Sequence, residues 1–240
     1  MQTEQIRGRD ITPAGLAAVA AYRYRIFVER LGWPLQCRQG HEADEFDVPD
    51  ATHLVVRLDQ DIVGYARMLP TTGPYLLEAH FAHLLNGAPP PKSGLIVELS
   101  RFAAGVPSAP GTGVEDDGVL RTAAGKRVLL AAIQHARAVG AHDLIFCTSV
   151  GIERLAKRWG VDIRRAGPPA RIHGDLLVAA AIACNDRSLE ALKPAPARAR
   201  SAVHPVWSLQ TRGHERPPFL PAREDDMEQH LEEKLDRAPA

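Results

Sequence analysis

Residues 94–149 set the strongest limit on what this chain can fold into. They read GLIVELSRFAA, then, after a loop from Val106 to Gly118 rich in Pro, Gly and Asp, LRTAAGKRVLLAAIQHARAVG, then HDLIFCTS. That is a strand apolar on both sides of Glu98 and Arg101, a long amphipathic helix ended by Gly140, and a second buried strand. Strands linked through a helix of this length pair side by side in parallel, because a parallel pair needs a long crossover. Upstream, THLVVRL and IVGYARML flank the polar turn DQD and read as an antiparallel hairpin. Both kinds of pairing in one chain predict an α/β fold with a single mixed sheet flanked by helices.

The other elements fit around that unit. Thr12 as N-cap and Pro13 at the first helical position open a helix whose apolar face is Leu16, Val19, Ala20, Tyr24, Phe27 and Leu31, with Gly32 as the stop. GIERLAKRWG reads as a short basic helix, and VDIRRAG and GDLLVAAAIA as the last strands. Residues 1–192 form the predicted domain. From 193 to 240 the chain turns to KPAPARARSAVHPV and then RPPFLPAREDDMEQHLEEKLDRAPA, which reads as a tail rich in Pro, Ala, Arg and charge. Met227, Leu231 and Leu235 would line one side of a short terminal helix there, transient or partner-dependent.

Composition narrows the function classes. Of 240 residues, 45% are hydrophobic, which is enough core for a folded domain, and 29 Lys and Arg balance 29 Asp and Glu. A zero net charge argues against nucleic acid as a partner, since phosphate binding needs a basic excess. The three cysteines, Cys37, Cys147 and Cys184, lack zinc-site spacing and fit a reducing, cytoplasmic compartment. No apolar run is long enough to insert in a membrane, and the first ten residues carry no apolar signal core. His80 and His83 form His-x2-His with no third ligand, so no metal is expected.

The chemistry concentrates elsewhere. HEADEFDVPDA, residues 41–51, puts Glu42, Asp44, Glu45, Asp47 and Asp50 just ahead of a buried strand. Arg23, Arg67 and Arg101 are cations in apolar contexts that need partners. A network of these arginines with Asp44 and Asp47 would fasten an N-terminal flap onto the sheet. In VELSRFA, simple strand alternation puts Glu98 and Ser100 on one face and Leu99 and Arg101 on the other. Glu98 is placed to act on a substrate proton, or else to hold a buried ion pair. Trp33 offers an aromatic wall for a sulfonium or an adenine ring.

The spacings Arg23-x3-Phe27-x5-Trp33 in RYRIFVERLGW, Asp44-x2-Asp47 in EADEFD, Arg67 in YARMLPT and Glu98-x2-Arg101 in VELSRFA resemble the signature of the LuxI-type acyl-homoserine-lactone synthases. The resemblance reaches to about residue 192. It implies a fold similar to the GNAT-type N-acetyltransferases and a reaction in which the amine of S-adenosylmethionine is acylated from a thioester. The product then closes to a lactone, releasing methylthioadenosine. S-adenosylmethionine is thus a substrate and no cofactor is implied; the acyl donor is acyl carrier protein or acyl-CoA. The resemblance assigns Glu98, Arg101, Asp44 and Asp47 to catalysis, and Arg23, Phe27, Trp33, Arg67, Ser100, Phe102 and Phe146 to substrate binding. Phe146 in LIFCTSV is expected to border the acyl tunnel and favour a short, branched or aromatic acyl group without a 3-oxo preference. Arg154, Lys157 and Arg158, at i, i+3 and i+4, form a stripe suited to an acidic carrier protein.

Two alternatives remain at this stage. One is an amine N-acyltransferase of the same fold without lactone formation, although AAGVPSAPGTG is a poor match to a Gly-rich pyrophosphate loop. The other is a ligand-binding module without turnover.

Overall fold

The computed structural model describes residues 1–105, 118–172 and 174–194. The loop read from Val106 and the tail read from 193 onward, with its Met227, Leu231 and Leu235 helix, therefore fall almost wholly outside the described residues. In chain order the elements are β1 (Gln2–Arg7), α1 (Pro13–Arg23), β2 (Thr52–Leu58), β3 (Asp61–Pro70), α2 (Leu76–Phe81), β4 (Ile96–Ala104), α3 (Gly118–Ala138), β5 (Asp143–Ser149), α4 (Val150–Arg158), β6 (Ile163–Arg165), β7 (Ala170–Ile172), β8 (Asp175–Ala183) and α5 (Asp186–Leu192).

The strands form one eight-stranded mixed sheet in the order β1-β2-β3-β4-β5-β8-β6, with β7 paired to β8. The hairpin β2–β3 and the parallel pair β4–β5 are both present, as the crossover and the DQD turn require. On one face α3 and α4 cover Leu54, Ala66, Met68, Leu99, Leu144, Phe146 and Ile182. On the other, Val19, Tyr22, Ile26 and Phe27 pack on Val55, Tyr65 and Ala103. Farther along the same face, α2 and the chain after it lay Leu77, Leu84 and Leu85 over Leu69, Ile145 and Ala179. The buried Arg67 and Glu98 and the nearly buried Arg101 project from β3 and β4 onto this same face. No helix among the described residues is long and apolar enough to cross a membrane.

The first helix departs from the expected single run. Thr12 Oγ1 does accept the Gly15 amide at 3.1 Å, and Gly32 does end the segment at a φ of 67°. Past Arg23, however, Tyr24–Arg30 widens into a π-helical stretch, with the Leu31 amide reaching Ile26 O. π turns occur mostly as local insertions at functional positions. Here the turn follows the buried Arg23 and contains Phe27. Four elements escaped the sequence reading. β1 is a polar edge strand with no apolar period, and α2, β7 and α5 are at most seven residues each, too short to show one. α3 starts at Gly118, the last residue of the expected loop.

Candidate active site

The acidic segment crosses the sheet and is locked in shape before any arginine reaches it. Asp44 Oδ1 accepts the Phe46 amide at 2.9 Å, and Asp47 Oδ2 accepts the Asp44 amide at 3.0 Å, an Asx-type turn of the kind aspartate favours. The Glu42 amide is tied to Ala20 O of α1 at 3.1 Å.

Three arginines converge on this turn from three elements. From α1, Arg23 gives Nε to Glu42 Oε2 at 2.5 Å and Nη1 to Asp47 Oδ1 at 2.7 Å. From β3, Arg67 grips Asp44 through both Nη atoms, reaches Asp47 Oδ1 at 2.8 Å, and donates Nε to Ser100 Oγ at 3.2 Å. From β4, Arg101 donates Nε and Nη2 to Glu42 Oε1, each at 3.2 Å, and its Nη2 lies 2.7 Å from Asp44 Oδ2. Three guanidinium groups thus face three carboxylates, and Arg23 and Arg67 are buried to within 1%. Burial works against charge on Asp47, but Arg23, Arg67 and the Asp44 amide outweigh it and hold the carboxyl down to about 2. Asp44 is lowered in the same way, against burial, by Arg67 and Arg101. The expected flap is present, and its third carboxylate is Glu42. That residue stood in the acidic cluster but outside the Asp-x2-Asp pair. The available signal was arithmetic: three buried arginines need three acids, and Glu42 lies two residues before Asp44.

Arg101 does not face away from Glu98, as alternation predicted. Tyr65 pairs with Ala103 and Arg67 with Ser100, so Ala66 alone opposes both Arg101 and Phe102. This is a β-bulge, and Arg101 takes a left-handed φ of 52°. Such a conformation is uncommon for a residue with a side chain. Here the bonds to Glu42 and Asp44 hold it. The bulge turns Arg101 onto the Glu98 face and leaves Phe102 packed toward α3.

Glu98 is opposite Leu69 on β3 and opposite Ile145 on β5. Its Oε2 accepts the Leu76 amide at 3.0 Å and Oε1 the Leu77 amide at 2.5 Å, so this carboxylate caps α2, whose own N-cap Tyr75 supplies no side-chain bond. Burial lifts its pKa to about 7, against the pull of those two amides and of Arg67 and Arg101. Cys147, whose thiol is pushed up to about 12 by burial and by Glu98, is half-buried on β5. Beside the arginines, Trp33 stacks on Phe27 with centroids 4.8 Å apart and planes at 20°, and Arg101 lies over the same phenyl ring at 6.0 Å. Trp33 keeps 38% of its surface exposed.

β4 and β5 pair only over Ile96–Glu98 and Asp143–Ile145. Beyond Glu98, β4 continues along β3, while β5 continues along β8. The sheet therefore splits at Glu98, and Phe102, Cys147, Thr148 and Ser149 are half-buried in what would otherwise be its centre.

Arg23, Phe27, Trp33, Asp44, Asp47, Arg67, Glu98, Ser100 and Arg101 are thus gathered on one face. Phe102 and Phe146 lie on the other, in the cluster under α3. Arg154, Lys157 and Arg158 are exposed on α4, but Lys157 is committed to the buried Glu153 at 2.6 Å, which Arg165 also clamps. The basic stripe is therefore Arg154 and Arg158. Among the described residues no group of three or more His, Cys, Asp or Glu could hold a metal.

Comparison with known proteins agrees with this architecture. A family profile described as autoinducer synthase matches residues 11–192. An acyl-homoserine-lactone synthase of Acinetobacter nosocomialis is 45% identical over 155 residues, covering 64% of this chain and 84% of the relative. The crystal structure of TofI in a ternary complex with an inhibitor and MTA superposes with a TM-score of 0.70 at 36% identity, over 80% of this chain and 96% of that one. An acyl-CoA N-acyltransferase from Pseudomonas aeruginosa, 17% identical with a TM-score of 0.51 over 75% of this chain and 99% of the other, shares the fold. The sheet is thus of the GNAT-like kind, and the chain belongs to the autoinducer synthase family.

Proposed function

We propose that this chain is an acyl-homoserine-lactone synthase, acylating the α-amine of S-adenosylmethionine from an acyl thioester and closing the product to a lactone. The observation that carries the reading is Glu98, a buried carboxylate with a pKa near 7 at the point where the sheet splits. The substrate amine is an ammonium at neutral pH and must lose a proton before it attacks. A base whose pKa lies near the working pH combines a useful ionised fraction with enough basicity. Each Glu98 oxygen accepts one backbone N–H, and a carboxylate has about four acceptor sites, so capacity remains for the ammonium or a relaying water.

The amine nitrogen then forms a bond to the thioester carbonyl carbon, and the carrier thiol leaves with the sulfur electron pair and a proton. In the second step a carboxylate oxygen of the acylated methionine part attacks its own γ-carbon. The C–S bond breaks toward the sulfonium, and methylthioadenosine departs neutral. This step needs orientation more than acid–base help. The Trp33–Phe27 stack is suited to an adenine ring or a sulfonium. Asp44 and Asp47 are fully engaged by arginines, so their part is to hold the flap, and that of Arg101 is to join the flap to β4 beside Glu98. The pantetheine arm fits the split, where its amides meet the unladdered edges of β4 and β5. Arg154 and Arg158 suit the acidic surface of a carrier protein or the phosphates of CoA. The free thiols Cys37, Cys147 and Cys184 support a cytoplasmic setting.

Purified protein supplied with S-adenosylmethionine and a panel of acyl thioesters should release methylthioadenosine only when both substrates are present. Acyl transfer to amines without methylthioadenosine would replace this reading with a simple N-acyltransferase.

A further inference from the structure

On the α3 side of the sheet, a side chain from the end of α4 reaches α3 beside β4. Trp159 follows Arg158 as the C-cap residue of that helix. Its Cη2 lies 3.1 Å from where a Cβ on Gly125 would stand, with Ala104 Cβ at 3.5 Å and Phe102 Cζ at 3.8 Å from the same point. The indole therefore spans from α4 to α3, beside β4, and its tip rests in the space left by the missing Cβ of Gly125. Gly125 sits in the interior of a 21-residue helix, where glycine weakens the helix and a packing reason for it is expected. Lys126, the next residue on α3, places Nζ 5.9 Å from the indole.

The two sides of the split differ in polarity. On one stand Glu98, Ser100 and Arg101. On the other, Leu99, Phe102, Phe146, Ala156 and Trp159 are apolar. An acyl chain whose carbonyl meets an amine near Glu98 stays out of water and away from the arginines by running through the split toward α3. This direction is continuous with Phe102 and ends against Trp159.

We infer that Trp159, seated on Gly125, is the end wall of the acyl compartment and sets the upper length of the aliphatic acyl group transferred. The inference rests on the reading of the chain as an acyl-homoserine-lactone synthase. It makes two opposite predictions. Trp159→Ala removes the wall and should move the preferred donor to longer chains. Gly125→Ala adds a methyl 3.1 Å from the indole tip, so the ring must give by a few tenths of an ångström, and a displacement toward the compartment should move the preference to shorter chains.

The test measures kcat/KM for butanoyl, isovaleryl, hexanoyl, octanoyl and dodecanoyl thioesters, read as methylthioadenosine release, with thermal unfolding of each variant alongside. Each methylene that finds apolar room is worth roughly fourfold, so a shift of about two methylenes changes the long-to-short ratio roughly fifteenfold. Opposite shifts in the two variants establish the wall. If the unaltered protein turns over but both variants keep its ranking while unfolding cooperatively, the inference is wrong and the synthase reading stands. If the unaltered protein releases no methylthioadenosine with any donor, the synthase reading fails and takes the inference with it. Should Trp159→Ala not fold, Trp159→Phe and Gly125→Ala decide by the same comparison, an unchanged ranking in both overturning the wall.

Discussion

Glu42→Ala is the sharpest test of the arginine network, because this carboxylate hydrogen-bonds an arginine of α1 on one oxygen and an arginine of β4 on the other. Glu42 takes Arg23 at 2.5 Å on one oxygen and Arg101 twice at 3.2 Å on the other. Removing it leaves three guanidinium groups facing two carboxylates, with Arg23 still almost wholly out of water. Breaking a buried pair by deleting one partner costs about 3–5 kcal/mol, because the stranded charge keeps its desolvation penalty. In a domain of this size about 1 kcal/mol lowers Tm by roughly 2–4 °C, so the expected drop is about 6–20 °C. Glu42→Gln retains one acceptor oxygen and should fall between the two, since geometry survives and charge does not. The assay is thermal unfolding by circular dichroism, repeated for Arg101→Ala and for the double variant. The double variant should lose less than the sum of the singles, as expected for partners in contact. A Glu42→Ala melting curve superimposable on that of the unaltered protein would show that the network contributes nothing to holding the flap.

Other consequences can be checked alongside. The Glu98 pKa of about 7 lies above its ordinary 4.5, so the stability linked to this group is complete below about pH 4.5 and is lost as pH rises through 7. Turnover should rise over that same window as the base ionises, and Glu98→Gln should abolish both trends, as pH-dependent melting and kcat/KM would record. Asp47 works in the opposite sense: its contribution is present above 3.8 and is lost as pH falls toward 2, so Asp47→Asn should flatten the acid limb of the melting profile. Phe146→Gly should shift the donor preference toward longer or bulkier acyl groups, and an unchanged ranking with lowered Tm alone would leave Phe146 as core. Removing residues 193–240 should leave methylthioadenosine release intact, because the family match ends at 192; loss of activity in a folded truncation would assign the tail a part in the site.

The frame of the fold was legible because its signals are long-range in sequence. A long helix between two apolar strands forces a parallel pair, and the polar turn DQD between two apolar runs forces a hairpin. What escaped was short or paired. β1 carries its identity in the ladder to β2, with Gln5 opposite Leu54, and not in any apolar period of its own. α2 is six residues held at its start by Glu98, a side chain from a different strand, so its cap could not be read locally. The site residues were legible as residue types, since buried arginines demand acids, but the partner list was not. Glu42 was passed over because Asp44 and Asp47 already made a pair. The facing of Arg101 was misread because alternation assumes a regular strand, and the bulge depends on a one-residue mismatch with β3. Phe146 was read as a tunnel residue without its face; pairing Glu98 with Ile145 puts its neighbour Phe146 on the α3 side.

The short ladder between β4 and β5 has a mechanical meaning. β1 to β4 form one half-sheet and β5 to β8 another, and the seam between them is three residue pairs long at one end. Such a seam behaves as a clasp. An acyl donor laid between the two edges would supply rungs that the chain itself omits, so donor binding should stiffen the sheet out of proportion to its contact area. Amide hydrogen exchange would read this directly, as slowed exchange along residues 99–104 and 146–149 when a non-transferable thioester analogue is bound. The flap carrying Glu42, Asp44 and Asp47 is tied to β3 and β4, on one side of that clasp, so slowed exchange there should extend to the flap.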